Sequence, residues 1–314
     1  MQETLKKTPA DFGDEINFQE LVNVINSEKK TIILLTSFIT VIGLCVSLLL
    51  PNIYESKALL VPVSSSNSIA GSLSKYSGLA GLTGISLPSE GDESNSTKAV
   101  HKIRALSFFE NSIMPNIFLP DLMAIKSWDY RNNTMIYDDG IYNQKSNTWV
   151  RDFSYPYKQI PSAQESFIVF IEDHINISED SKTGFITLSI KHQSPYIAQE
   201  WVELLVDEVN FFYREKDKSE SEKAIGYLNE QISMTALSEI KLVIAELLQE
   251  ETQKLTLIEA NEFYVFDYID PPAIMEEKSG PKRALICILS TLLGIFISLC
   301  TVLFRHFMLK EKLS

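Results

Sequence analysis

TIILLTSFITVIGLCVSLLL (residues 31–50) and ALICILSTLLGIFISLCTVLF (residues 284–304) are uncharged, apolar stretches near the two ends of a 314-residue chain. A helix rises 1.5 Å per residue, so about 20 residues cross the roughly 30 Å hydrocarbon layer of a bilayer. Neither stretch has the polar stripe that a long buried helix of a soluble protein normally carries. Both are therefore predicted to be transmembrane helices.

A cleaved signal peptide is the alternative interpretation of the first stretch. Thirty mainly polar residues precede it, and its apolar run is longer than that of a signal peptide. The residues that follow it also make a poor cleavage site. The sequence therefore favours an uncleaved anchor.

Positive residues beside the spans predict their orientation. Lys29 and Lys30 directly precede the first span, and Arg305 follows the second. Positive flanks stay in the cytoplasm, so both termini are predicted to be cytoplasmic. Lys282 and Arg283 lie on the opposite side, but long domains are translocated largely regardless of charge. The predicted order is a cytoplasmic tail (1–30), a transmembrane helix (31–50), a periplasmic domain (51–283), a second transmembrane helix (284–304) and a cytoplasmic tail (305–314).

Charge and cysteine usage restrict the function of the exported domain. The chain has 28 Lys and Arg against 41 Asp and Glu, a net charge of -13. Nucleic-acid binding needs clustered cations, so an acidic chain argues against it. Cys45, Cys287 and Cys300 all lie inside the apolar stretches. The exported domain therefore has no disulfide framework and no thiol nucleophile.

Each apolar span is adjacent in sequence to a segment with the pattern of a β-strand. YESKALLVP (residues 54–62) follows the first span, and FYVFDYI (residues 263–269) precedes the second. We expect these two strands to pair in a membrane-proximal sheet. Two further strands are predicted at residues 167–171 and 185–190, the second from its alternating pattern.

Helical spacing accounts for much of the remaining domain. Residues 98–118 predict one helix, and residues 119–165 read as an irregular aromatic region. Ser194 and Pro195 open a pattern that continues to about residue 260. Unbroken, it would be about 99 Å long and would have to project or pair with a neighbour. The alternative is a helical hairpin broken at residues 219–221. One apolar stripe of this pattern is a candidate oligomer surface: Ile225, Leu228, Ile232, Ile240, Val243 and Leu247.

No catalytic constellation emerges from the sequence. None of the four histidines has a metal-ligand partner at helical spacing. Glu172, Asp173 and His174 are adjacent, but neighbouring side chains point in different directions, so solvated polar residues explain them better. Asp138, Asp139 and Gly140 form a turn signal rather than a metal site. The chain is therefore predicted to be non-enzymatic, with no catalytic, metal-binding or cofactor-binding residues and no cofactor.

The order of the local motifs resembles the Wzz-type chain-length determinants, also called polysaccharide co-polymerases. The matching features are YESKALLVP after the first span, the Gly-rich SGLAGLTGI (residues 77–85), the helix from Lys98 to Phe109 and SEKAIGYL (residues 221–228). The most specific feature is a proline-rich link before the second span. We predict that its residues Pro271, Pro272, Pro281, Lys282 and Arg283 form a functional motif.

The resemblance implies an α+β membrane protein of the bacterial inner membrane. Two transmembrane helices would flank a periplasmic mixed α/β base domain with a long projecting helix. It also implies a ring-like homo-oligomer that sets the modal length of a surface polysaccharide, usually O-antigen. A separate polymerase and a lipid-linked polysaccharide would be its partners. The chain departs from the family in a short helical region after Leu228, and it lacks a fused kinase domain, which favours the O-antigen branch.

Two other classes of function stay open. One is an adaptor or export subunit that bridges toward the outer membrane. The other is a periplasmic enzyme anchored by two spans, because two distant carboxylates could still meet in the fold.

Overall fold

The computed structural model describes residues 24–63, 95–261 and 263–311. It divides into two compact units. One contains the residues up to Pro51 together with those from Gly280 onwards, and the other contains Asn52–Ser279. The Gly-rich segment at residues 77–85 lies outside the described residues.

The terminal unit contains the two apolar helices, α1 (Lys29–Leu49) and α8 (Arg283–Glu311). Both are long and apolar enough to cross a membrane. Their positions agree with the two predicted spans. Helix α8 continues past the predicted end at residue 304, because His306 and the residues around it keep helical geometry.

A four-stranded antiparallel sheet forms the centre of the second unit, which we call the central domain. Its strands are β1 (Tyr54–Pro62), β6 (Ile175–Glu179), β7 (Ile186–His192) and β8 (Phe266–Asp270), in the order β6-β7-β1-β8. Strand β1 pairs with β8, for example at Leu60 and Tyr268. The predicted pairing of the first and last strands is therefore confirmed. Alternate residues of β1 are buried because successive side chains face opposite sides of a sheet.

Helix α6 (Pro195–Met234) packs its first half against this sheet. Its buried residues from Pro195 to Tyr213 follow the helical spacing of one face, and Ser221 is buried further along. The same core takes in Phe108, Phe109 and Phe170. This core of aliphatic and aromatic residues holds the central domain together without disulfides.

Short helical segments surround the core. They are α2 (Asn95–Ile103), α3 (Leu106–Phe108), a π-helical turn (Phe109–Ile113), a 3-10 turn (Met114–Asn116), α4 (Leu119–Met123), α5 (Ala163–Val169) and a second π-helical turn (Phe170–His174). The helix predicted at 98–118 is thus interrupted near residues 104–105. Two small hairpins, β2–β3 (Ile125–Asp129, Thr134–Tyr137) and β4–β5 (Tyr142–Asn143, Thr148–Trp149), occupy the region predicted to be irregular.

The strand predicted at residues 167–171 is wrong, because these residues are helical. Ser162 precedes α5, and its hydroxyl oxygen accepts a hydrogen bond from the Glu165 amide at 3.3 Å. Ser162 and Glu165 have the spacing of a capping box, which is a helix-start signal. That local signal prevails over the β-forming run of Phe167, Ile168 and Val169.

Two helices replace the single helix predicted across residues 195–260. Helix α6 ends at Met234, and α7 (Ser238–Ala260) runs back beside it. The hydroxyl and amide of Thr235 both donate to the Gln231 carbonyl oxygen, at 2.8 and 3.1 Å, which closes the last turn of α6. The ammonium of Lys218 lies 2.9 Å from the Glu259 carboxylate, so the two helices are antiparallel. The chain does form a hairpin, but the break is at 235–237 and not at 219–221.

His192 is a buried histidine that joins three parts of the core. Its Nδ1 accepts a hydrogen bond from the Ser194 amide at 3.0 Å, so Nε2 donates to the Asp121 carbonyl oxygen at 3.0 Å. The ring also packs against Trp201 and His174. Burial lowers the pKa of His192 to about 4, and it lowers the pKa of His174 as well. His174 is therefore a packed residue, whereas Glu172 and Asp173 are exposed as predicted.

We predict a loss of stability in weak acid that depends on His192. An unfolded histidine titrates near pH 6.5, so between about pH 6.5 and 4 the unfolded chain binds more protons than the folded one. The free energy of unfolding should fall across this window by roughly 3 kcal/mol from His192 alone. The measurement is thermal unfolding of the full chain against pH. His192→Gln should flatten the decline, and His101→Gln on an exposed part of α2 should leave it unchanged.

Candidate functional site

The first half of the proline-rich link is bound to the central domain. Pro272 is buried, and its carbonyl oxygen accepts a hydrogen bond from the Gln199 side-chain Nε2 at 3.3 Å. The next carbonyl, that of Ala273, accepts from the buried Ser56 hydroxyl at 2.8 Å. The link thus leaves β8 and returns along β1, while Pro271 stays exposed.

A second attachment lies at the end of the domain. The Ser279 amide donates to the Ile53 carbonyl oxygen at 2.8 Å, and Lys278 donates to the Asn52 side chain at 3.3 Å. Residues 274–278 between the two attachments are exposed. The points where the chain enters and leaves the central domain are therefore fixed beside each other.

The second half of the link belongs to the terminal unit. Pro281 and Lys282 precede α8, and Arg283 is its first residue. The guanidinium of Arg283 donates to the Ser47 carbonyl oxygen at 3.2 Å and to that of Leu50 at 3.5 Å. A cation at the carboxyl end of a helix complements the helix dipole. Arg283 thus binds the end of α1. The five predicted link residues are divided between the two units, with Pro271 and Pro272 in the central domain and the other three in the terminal unit.

Small and hydroxyl residues join α1 to α8, a feature that the sequence interpretation missed. Thr36 and Ser298 are hydrogen-bonded at 3.2 Å, and the Thr40 hydroxyl donates to that of Thr291 at 3.3 Å. A Cβ added at Gly43 would lie 2.4 Å from the Cβ of Ser290. Such close packing of small residues is typical of membrane helix pairs. The spacing of Thr36, Thr40 and Gly43 was the available sequence signal.

The predicted apolar stripe is distributed over both helices of the hairpin. Ile225, Leu228 and Ile232 are half-buried on α6. Ile240, Val243 and Leu247 on α7 are each at least 40% exposed. The buried residues of α7 are instead Ile244 and Ile258. Three further exposed apolar side chains, which the stripe did not include, stand near the turn: Met234, Leu237 and Leu242.

In residues 24–63, 95–261 and 263–311, no group of three or more His, Cys, Asp or Glu side chains is arranged to hold a metal ion. Arg151 forms an ion pair with Glu165 on α5 and also donates to the Gln159 carbonyl oxygen, so it ties a loop to α5. This pairing lowers the pKa of Glu165 and is structural.

The family comparison concerns the first part of the chain. Residues 14–100 match the Wzz family model, described as chain length determinant protein. The predicted resemblance to the Wzz-type chain-length determinants is thereby confirmed. The match includes α1 and β1, whereas the proline-rich link and the hairpin lie beyond it.

Two solved structures are similar to the chain at low identity. A full-length bacterial polysaccharide co-polymerase is 12% identical, with a TM-score of 0.39, over 94% of this chain and 99% of the other. A fragment of WzzB, a polysaccharide co-polymerase from Salmonella Typhimurium, is 12% identical, with a TM-score of 0.28, over 73% and 100%. A comparison with the curated proteins gave no match.

Proposed function

We propose that this Wzz-domain protein is a non-enzymatic regulator of the chain length of a surface polysaccharide, with O-antigen as the favoured polymer. The match of residues 14–100 to the chain length determinant family carries this proposal. The two apolar helices support a place in the bacterial inner membrane, with both termini cytoplasmic and the central domain periplasmic. A separate polymerase, acting on a lipid-linked polysaccharide, supplies the chemistry.

The hairpin supports self-association into a ring-like homo-oligomer. Exposed apolar side chains line α7 and the turn before it, including Leu237, Leu242 and Val243. Exposed apolar side chains on neighbouring turns of a helix favour a protein partner. A second copy of the chain can be that partner, because identical subunits can repeat the same contact around a ring.

Leu247→Asp should reduce the size of the assembly. Leu247 is exposed on α7, and burying a new carboxylate in a subunit interface is unfavourable. The control is Gln249→Asp, an exposed position of the same helix with the same change in helix propensity. Mass measurement of detergent-solubilised protein checks the result. Equal masses for the two variants, both folded by circular dichroism, would remove this surface from the proposed interface.

Arg283→Ala should shift the modal polysaccharide length while the protein still inserts and assembles. The change removes both hydrogen bonds to the end of α1, and with them the attachment that fixes the link at the start of α8. Glu277→Ala is the control, since Glu277 is an exposed position of the same link outside the predicted motif. Length profiles of surface polysaccharide from complemented cells are the measurement. Identical profiles for both variants would count against a role for Arg283 in the link.

The proposed function itself is tested on a gel of surface polysaccharide from cells with and without this chain. We expect a clustered length distribution to become a smoothly decaying one, while polymer is still made. Complete loss of surface polymer would favour the second candidate, an adaptor or export subunit. The hairpin of α6 and α7 supports this second candidate, because paired helices can bind a transporter.

A further inference from the structure

The membrane-facing end of the central domain is identified by its chain ends. The domain begins at Asn52 and finishes at Ser279, and the Ser279 amide is bonded to Ile53. Helix α1 ends at Leu49, so Tyr54 lies within about 18 Å of that helix even along a fully extended chain. If both helices cross the bilayer, as proposed above, the surroundings of Tyr54 face the lipid headgroups.

Aromatic side chains are concentrated at this end. Trp128 on β2 packs edge-on against Tyr54 with ring centroids 5.5 Å apart, and it contacts Tyr196 at 6.3 Å. Tyr130 follows at the tip of the β2–β3 hairpin and is 69% exposed. Tyr196 at the start of α6 is 46% exposed. We call Tyr54, Trp128, Tyr130 and Tyr196 the aromatic collar.

The polar edges of the collar's rings form hydrogen bonds, as is usual for aromatic residues at a membrane interface. The Trp128 indole donates to the Asn133 side chain at 2.9 Å, so its polar edge is satisfied outside the core. Arg131 lies over the Tyr130 ring and donates to its hydroxyl at 3.1 Å. Rings with an apolar body and a polar edge favour the boundary between headgroups and acyl chains.

We propose that the aromatic collar docks the central domain on the headgroup layer of the membrane. Three elements distant in sequence contribute to it, so it is a feature of the folded domain and not an extension of either span. Residues 1–30 carry a net charge of -2 and residues 284–314 carry +2, so these two charges cancel. The residues between them therefore carry the whole net charge of -13, and the domain is acidic. Docking therefore rests on aromatic contacts with zwitterionic lipid and not on attraction to anionic lipid. The proposal depends on the membrane location given under the proposed function.

Tryptophan fluorescence tests the proposal without altering the fold. The chain has three tryptophans, Trp128, Trp149 and Trp201, and the apolar spans contain none. The full chain is reconstituted in phosphatidylcholine vesicles that carry a nitroxide quencher either on the headgroup or at mid-chain. Trp128→Phe keeps an aromatic ring in the collar. Trp149→Phe is the matched control, because Trp149 packs in the separate β4–β5 hairpin.

The headgroup quencher should quench the wild-type chain and the Trp149→Phe variant to similar extents. In Trp128→Phe, that quenching should fall by about threefold, and the mid-chain quencher should have little effect on any of the three chains. Undiminished quenching in Trp128→Phe, or no quenching of a chain that floats with the vesicles, would overturn the proposal. A chain that does not float would overturn it together with the proposed membrane location. Flotation of the chain with the vesicles thus distinguishes failure of the docking proposal from failure of the proposed membrane location.

Discussion

Asn210→Ala should strongly destabilise the central domain. The Asn210 side chain donates to the Phe266 carbonyl oxygen at 3.0 Å and accepts from the amides of Val265 and Phe266 at 2.8 and 2.9 Å. All three residues are buried. Each buried backbone group left without a partner costs about 1–3 kcal/mol, so a total loss of roughly 3–9 kcal/mol is expected for the three groups. This is a large part of the 5–15 kcal/mol that stabilises a typical domain.

Thermal unfolding of the full chain measures this effect. At about 2–4 °C per kcal/mol for a domain of this size, the midpoint should fall by on the order of 10 °C. Asn229→Ala, at an exposed position of the same helix, should shift it little. Asn210→Asp retains the acceptor oxygen but loses the amide donor, so we expect an intermediate loss. A midpoint for Asn210→Ala close to that of Asn229→Ala would show that α6 does not hold β8 in place.

Gly43→Ala should separate the two apolar helices. Its added Cβ would lie 2.4 Å from the Cβ and the Oγ of Ser290, and a Cβ cannot move aside without its backbone. Overpacking of this kind typically costs about 1–3 kcal/mol. The matched control is Gly226→Ala on α6, where nothing lies within 4 Å and the better helix propensity of alanine should be mildly stabilising.

Disulfide formation between the helices reports this separation. Thr36 and Ser298 are in hydrogen-bond contact, so cysteines at both positions should cross-link once the three native cysteines are replaced by alanine. The yield should fall severalfold when Gly43→Ala is added, and it should stay unchanged with Gly226→Ala. Full cross-linking in the presence of Gly43→Ala would mean that the helices do not depend on contact at Gly43.

Strong, uniform patterns allowed the sequence to predict much of the fold. The two apolar helices and the strand at residues 54–62 were placed correctly because a charge-free run and a turn-bounded strand have few alternative structures. Pairing of β1 with β8 followed from the position of each strand beside a span. By contrast, Phe167, Ile168 and Val169 favour a strand by residue type, and the capping box at Ser162 decides against it.

The candidate site was harder to predict because its contacts join distant residues. The proline-rich link was recognised from the sequence, but the bonds from Ser56 and Gln199 that hold it come from a strand and a helix far away in the chain. Helical periodicity continues across residues 235–237, so it cannot reveal that the helix reverses there. Asn210 is a polar residue on an apolar face, and only the backbone of β8 explains its presence.

The pairing of β1 with β8 also has a consequence for how the central domain relates to its anchor. The central domain is inserted between the two apolar helices in the chain, and its first and last residues, Asn52 and Ser279, are neighbours. Folded units with adjacent ends tolerate circular permutation. A short linker across that junction, with new termini opened in an exposed turn, should therefore preserve the domain. The same adjacency would let the domain be exchanged between different helix pairs through two connections that lie side by side.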